Sequence, residues 1–238
     1  MPLNAQFALF SRSKYISLGV VQSIAKSVTA QLQEDVKPLW GRTGTVTPFA
    51  HESQVPKGYW KVIIEDDIGQ PGALGFHTDE LNQPIAYVSA QDGHVDNVSV
   101  TVSHEVIETL LDPNGNRLVQ NILHPLDDSE RVQMLLEGCD PSEAKSYTKQ
   151  GNLVSDFYLP EWLDDSVTQG QKYTFLGAIT HPRRIIAGGY CSFVGQDGKW
   201  YQVTAFGTQP VLEGPFDWEL KDGESLREMV DRNTRPRM

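Results

Sequence analysis

One stretch constrains this chain more than any other: Asn97 to Asp112, reading NVSVTVSHEVIETLLD. Val98, Val102, Val106 and Leu110 recur every four residues, with Ile107 and Leu111 beside them, which is the stripe of a helix laid on a core. Asp96 or Asn97 can cap its start, and Pro113 with Gly115 can end it. On another side of the same helix His104 and Glu108 stand four residues apart and face the same way, with Glu105 one step round between them. An imidazole and two carboxylates that converge are what a metal ion, its water and a proton acceptor require. The plain alternative is a solvated helix face with ordinary charges. His-Glu-x-x-Glu departs from the better-known His-Glu-x-x-His and occurs often in amphipathic helices.

The surrounding chain narrows the choice. Its 238 residues suffice for one large domain, or a domain with appendages. A formal net charge of -11 argues against a nucleic-acid partner, which would need a basic surface, and against an anionic membrane. No stretch approaches a membrane span, and MPLNAQFALFSRSKY lacks the form of a signal peptide. Cys139 and Cys191 are too few for a disulfide framework and lack the spacing of a cysteine zinc site, so a reducing compartment is expected.

Read in order, the pattern predicts a short strand near Phe7 to Phe10, a helix from about Leu18 to Leu39, and strands at Gly44 to Phe49 and Trp60 to Glu65. Leu74 to His77 is short and extended, Asp79 to Pro84 is a loop, and Ile85 to Ser89 is a further strand leading to the central helix. Asn114 to Arg131 and Ser142 to Asn152 read as polar, turn-rich connections, and Leu153 to Leu159 as a strand or ordered loop. Ile185 to Val203 reads as a hairpin turning at Asp197-Gly198. Gly207 to Pro215 is rich in turn formers, Glu219 to Arg232 reads as a terminal helix, and the end, RNTRPRM, as basic and loose. Residues 1–206 are expected to form one domain and residues 207–238 a C-terminal extension.

The segments GFHTDELNQPIAYVS, SHEVIETLLDPNGN, EGCDP and VSDFYLPEW, with a late GGY and hairpin, together resemble a zincin-like metallopeptidase domain. The resemblance is to a His-Glu-x-x-Glu variant seen in bacterial and phage proteins, and it runs through much of residues 60–200. It implies an α+β fold: a twisted mixed sheet with an edge strand, a central metal-site helix and a C-terminal part containing a β-hairpin. His104 and Glu108 would be metal ligands, with Asp140 of the Glu-x-x-Asp segment as third ligand. Glu137 and Asp112 are alternatives, although Asp112 and Asp140 each also suit a turn before proline.

In that reading a zinc ion would activate a water, and Glu105 would act as general base and pass the proton to the leaving amine. The strand carrying Ile85, Tyr87 and Ser89 could pair with an extended peptide or protein substrate. Tyr158 and Tyr190 are candidate oxyanion donors, each also suited to a core or rim. One imidazole with two carboxylates makes a hard ligand set, so manganese, or calcium if more oxygens join, competes with zinc. His51, His77, His94, His124 and His181 lack ligand spacing to another histidine and are read as surface or structural. The competing function is a catalytically silent protein of the same fold that assembles with virion or other structural proteins. The expected location is the cytoplasm or a virion.

Overall fold

A computed structural model describes residues 4–70 and 72–234. The loose end expected at 232–238 therefore lies outside the described residues from 235 onward. The class is α+β, with two five-stranded sheets, a small hairpin and helices packed against them.

The first sheet runs in the order β2-β1-β3-β5-β4, where β1 is Asn4–Ser11, β2 Thr43–Pro48, β3 Trp60–Glu65, β4 Gly75–Glu80 and β5 Gln83–Ser89. β1, β2, β3 and β5 are parallel neighbours and β4 closes the sheet antiparallel to β5. Strand alternation divides its side chains between two faces. Phe7, Leu9, Val62, Ile64, Ala86 and Val88 join the main core under the helices, whereas Phe10, Ile63 and Ile85 form a smaller cluster elsewhere.

Parallel pairing of β1 and β2 demands a crossover, which α1 (Leu18–Gln31) supplies. Ser17 caps it, its hydroxyl accepting from the Val20 N–H. The helix widens into a π turn at Leu32–Val36 before α2 (Lys37–Trp40). Pro38 lacks the N–H that an unbroken helix would use, which places the irregularity there.

The central helix is α3 (Val95–Leu111), two residues longer at its start than the sequence suggests. His94 occupies the N-cap position and no side chain caps it, so neither Asp96 nor Asn97 plays that part. At the other end the Arg42 guanidinium donates to the Leu110 and Leu111 carbonyls, placing a cation where the helix dipole is negative. α3 is buried on nearly every side, and its hydroxyls are bonded accordingly. Ser99 donates to the Leu153 carbonyl at 2.7 Å, and Ser103 donates to Gln31 Oε1 at 2.7 Å while accepting from Ser155 N.

The second sheet, β12-β11-β10-β7-β6, is antiparallel throughout. It comprises β6 (Leu118–Leu123), β7 (Arg131–Leu135), β10 (Tyr190–Val194), β11 (Trp200–Thr204) and β12 (Val211–Phe216). The expected hairpin is β10–β11. β6 and β12 occupy segments read as connections, and so does half of the hairpin β8 (Ser146–Lys149) with β9 (Asn152–Ser155). The loop expected at Asp79 to Pro84 is a two-residue hairpin turn, with Leu81 and Asn82 both at positive φ.

The segment expected as a C-terminal extension packs on the second sheet. β12 pairs with β11, and α4 (Leu226–Asn233) places Met229 and Val230 in a core with Leu135 and Trp200. α4 is shorter than expected because Ser225 and Glu228 form a capping box at its start. Among the described residues no helix is long and apolar enough to cross a membrane.

Candidate metal centre

His104, Glu105 and Glu108 emerge from α3 on one side, as their spacing requires, but that side is not a solvated face: all three are buried. β4 and the segment after β7 close over it. His104 Nε2 lies 3.2 Å from Glu108 Oε2 and 3.2 Å from Asp140 Oδ1. Asp140 stands at the start of a 3-10 turn, Asp140–Ser142. Glu137 also reaches the group, with a carboxylate oxygen within 4.8 Å of oxygens of Glu108 and Asp140.

The segment 137–140 is drawn against the helix by main-chain contacts. The Cys139 N–H donates to Glu108 Oε1 at 3.0 Å, and the Cys139 thiol faces the His104 carbonyl at 3.9 Å. Gly138 permits this approach, because a Cβ there would meet Leu111 Cδ1 at 2.6 Å. On the opposite side Gly75, the first residue of β4, leaves room for the general-base candidate. A Cβ on Gly75 would lie 2.7 Å from Glu105 Oε1 and 2.6 Å from Thr101 Cγ2.

Two residues read without a site role stand inside it. His77 on β4 is fully buried, contrary to the surface option, with Nδ1 3.5 Å from Glu105 Oε2 and 3.9 Å from Glu108 Oε2. Arg227 of α4 donates through Nη1 to Asp140 Oδ2 at 3.2 Å and through Nη2 to the Tyr190 hydroxyl at 3.1 Å, and it pairs with Asp231 at 3.1 Å. Neither has a local signature. A lone histidine in a strand has no partner at helical spacing, and Arg227 follows Asp140 by 87 residues. The turn at Leu81-Asn82 that folds β4 back beside β5 has no glycine to mark it, so the sequence carries no signal for His77.

Other expectations fall outside the centre. Asp112 is buried but turned to its own helix end, where Oδ2 accepts the Arg117 N–H at 2.7 Å. It belongs to none of the ligand groups among the described residues. Ile85, Tyr87 and Ser89 cannot offer a free strand edge, because β5 is paired on both sides, with β3 and with β4. Ile85 is in a core, and the Tyr87 hydroxyl donates to Glu80 at 2.6 Å. The end strand beyond β5 is β4, and β2 ends the sheet on the other side. Tyr158 is buried with its ring stacked on Trp162 at 4.6 Å, whereas Tyr190 lines the cleft described below.

The electrostatics follow from burying many carboxyls together. Burial alone would raise the Glu108 carboxyl, but the His104 charge and hydrogen bond, with Arg227, outweigh it and hold the group well below the ordinary range. Burial would lower His104, yet the carboxylate of Glu108 and the Asp140 contact hold it well above the ordinary imidazole value. Burial pushes Glu137 well up, and Glu108 adds to the shift. Burial likewise raises the Cys139 thiol.

Several buried atoms here are under-partnered: His77 Nε2 and Glu137 Oε1 have no partner, His77 Nδ1 and Glu105 Oε2 meet only at 3.5 Å, and Glu108 Oε2 and Asp140 Oδ1 share the single His104 Nε2. Unpaired buried polar atoms cost about 1–3 kcal/mol each, more when charged, so such a concentration calls for a ligand. The residues fit a divalent cation. With zinc bonds of about 2.0–2.2 Å, tetrahedral neighbours stand about 3.3–3.6 Å apart, close to the separations around His104 Nε2. A cleft of about 790 Å³ leads to this point, with Gly75, Thr101, His104, Glu105, Tyr190 and Arg227 among its walls.

No family model, no curated protein and no solved structure matches the chain.

Proposed function

We propose that the chain is a metal-dependent hydrolase of the zincin-like kind that cleaves peptide bonds, with His104, Glu108 and Asp140 holding zinc or manganese. The observation that carries this reading is that Glu108 Oε2 and Asp140 Oδ1 each lie 3.2 Å from His104 Nε2 beside a cleft, with a further carboxylate, Glu105, on the same helix. A bound divalent ion would supply Lewis acidity, lowering the pKa of a water and polarising the scissile carbonyl. Glu105 takes the water's proton on Oε1, the oxygen beside Gly75, and delivers it to the leaving amine. Arg227 engages Asp140 through Oδ2 alone, which leaves Oδ1 turned to His104. β4, paired on one side only, replaces β5 as the strand along which an extended peptide would lie.

The test is metal content followed by turnover. Protein purified without chelator should carry metal that His104→Ala with Glu108→Ala loses, and a panel of unstructured polypeptides should be cleaved. Glu105→Gln should lower cleavage at least about 100-fold while keeping the ion held by His104, Glu108 and Asp140. Cleavage that survives Glu105→Gln would remove the assigned base, and wild-type protein that takes up no metal would sink the reading. The assembly reading has one observation of its own: β12 ends its sheet and is exposed along most of its length, with Val211 53% and Leu212 43% accessible. It predicts self-association that charged substitutions at these two residues abolish, whatever happens at Glu105.

A further inference from the structure

We infer that His77, Glu105 and Glu108 form a second divalent-cation site, adjoining the first and sharing Glu108 with it. The inference rests on the reading of His104, Glu108 and Asp140 as the first site.

The geometry is that of a ligand set. One ligand atom from each of the three residues lies within 4.8 Å of the others, and His77 Nδ1 is 3.5 Å from Glu105 Oε2 and 3.9 Å from Glu108 Oε2. Two ligands each about 2.2 Å from an ion stand 3.5 Å apart at about 105°, near tetrahedral, and 3.9 Å apart at about 125°, so a small approach of Glu108 completes the set. The positions are firmly held. His77 sits on β4 opposite Ala86 of β5, and both carboxylates project from α3, which packs on β4.

Glu108 is placed to be shared. Its Oε1 is committed to the Cys139 N–H, and its Oε2 lies between two imidazoles, 3.2 Å from His104 Nε2 and 3.9 Å from His77 Nδ1. A carboxylate oxygen between two nitrogen ligands suits a bridge between neighbouring ions, as in two-metal sites.

The state of His77 is the second, independent observation. It is completely buried, its Nε2 has no hydrogen-bond partner, and its Nδ1 faces only the carboxylates of Glu105 and Glu108, at 3.5 and 3.9 Å. A buried imidazole that serves packing alone finds main-chain partners, as His124 does with the N–H groups of Leu126 and Asp127. Composition points the same way: five carboxyls, of Glu105, Glu108, Glu137, Asp140 and Asp231, share this space with one guanidinium, Arg227, and the imidazoles of His77 and His104.

Filling the second site engages Glu105 through Oε2 and draws negative charge from the carboxylate, which makes Oε1 a weaker proton acceptor. Metal in excess of one ion per chain therefore slows the proposed hydrolysis.

The experiment is a stoichiometry. Chelator-stripped wild type, His77→Gln and Glu108→Gln are dialysed against graded free zinc and, separately, manganese, with bound metal measured by elemental analysis and heats by calorimetry. Two ions per chain are expected for wild type, one for His77→Gln, and loss of both for Glu108→Gln. Wild type that saturates at one ion overturns the inference without reference to any variant, so misfolding of His77→Gln cannot rescue it. His77→Gln that is folded by circular dichroism and still binds two ions overturns it as well. One ion with Glu105-dependent cleavage sinks this site and spares the hydrolase reading. Two ions with no cleavage of any peptide does the reverse, and no bound ion sinks both.

Discussion

His104, Glu105 and Glu108 ride on one helix, whereas Glu137, Asp140 and Arg227 reach the same space from a strand exit and from the C-terminal helix. The first trio owes its mutual geometry to helical pitch and would keep it in any context that keeps α3. The second trio has no such local guarantee. It is assembled by the Cys139 N–H bond to Glu108, by the bare approach at Gly138 and by the Arg227 guanidinium among three acids. One half of the centre is therefore set by secondary structure and the other by tertiary charge pairing. The two halves should fail in different ways.

The largest effect should come from removing the charge that gathers the second half. Arg227 is 4% exposed, and its loss leaves Glu137, Asp140 and Asp231 without their shared counterion. Arg227→Ala should cost about 3–5 kcal/mol in the metal-free protein, read as a lower urea midpoint, and saturating zinc should recover part of it. A loss below about 1 kcal/mol would break the comparison, because the second half would then stand without its cation.

Two glycines sharpen the contrast. Gly138→Ala drives a methyl into Leu111 and pushes the 137–140 segment from α3. It should cost about 1–3 kcal/mol and lower zinc content together with turnover. Gly75→Ala meets Thr101 and Glu105 instead, so it should lower turnover while zinc content at the first site holds. If both variants lose metal equally, the division of the centre into separately placed halves is wrong.

Legibility in the sequence followed the same division. The central helix, strands β3 and β5 and the β10–β11 hairpin carry local periodicity or a turn dipeptide, and the trio on α3 is visible from i, i+4 spacing alone. β8 is a polar strand, and β6 and β12 are interrupted by Gln-Asn and by Glu-Gly-Pro, so none alternates cleanly and each is extended through pairing with its neighbour, β9, β7 and β11 respectively. The misplacement of the open edge at Ile85, Tyr87 and Ser89 has a single cause. Leu81 and Asn82 make a two-residue turn without glycine, so β4 was not seen as the strand beyond β5. His77 was hidden for the same reason, and Arg227 because a salt bridge across 87 residues leaves no mark on either segment.

The smallest expected effect compares buried histidines. In the centre, carboxylates outweigh burial and hold His104 well above its ordinary value. At the second sheet His124 is 6% exposed, set edge-on to Phe193 at 4.9 Å, and its Nδ1 accepts two main-chain N–H bonds at 3.0 Å each. Burial lowers this imidazole, and protonating Nδ1 would forfeit both bonds. Its folded pKa therefore lies below the unfolded value of about 6.5, so the unfolded chain takes up the proton first as pH falls. The stability that His124 contributes is complete above about pH 6.5 and is lost as pH falls through its folded pKa. His124→Asn keeps an acceptor and cannot titrate. The stability difference between wild type and His124→Asn should shrink by about 1 kcal/mol between pH 7.5 and pH 5, measured by urea unfolding at each pH. Titrations common to both proteins, including those of the centre, cancel in that difference. A difference that stays constant over this range would mean that the bonds to Leu126 and Asp127 do not hold His124 neutral, and the contrast between the two kinds of buried histidine would fail with it.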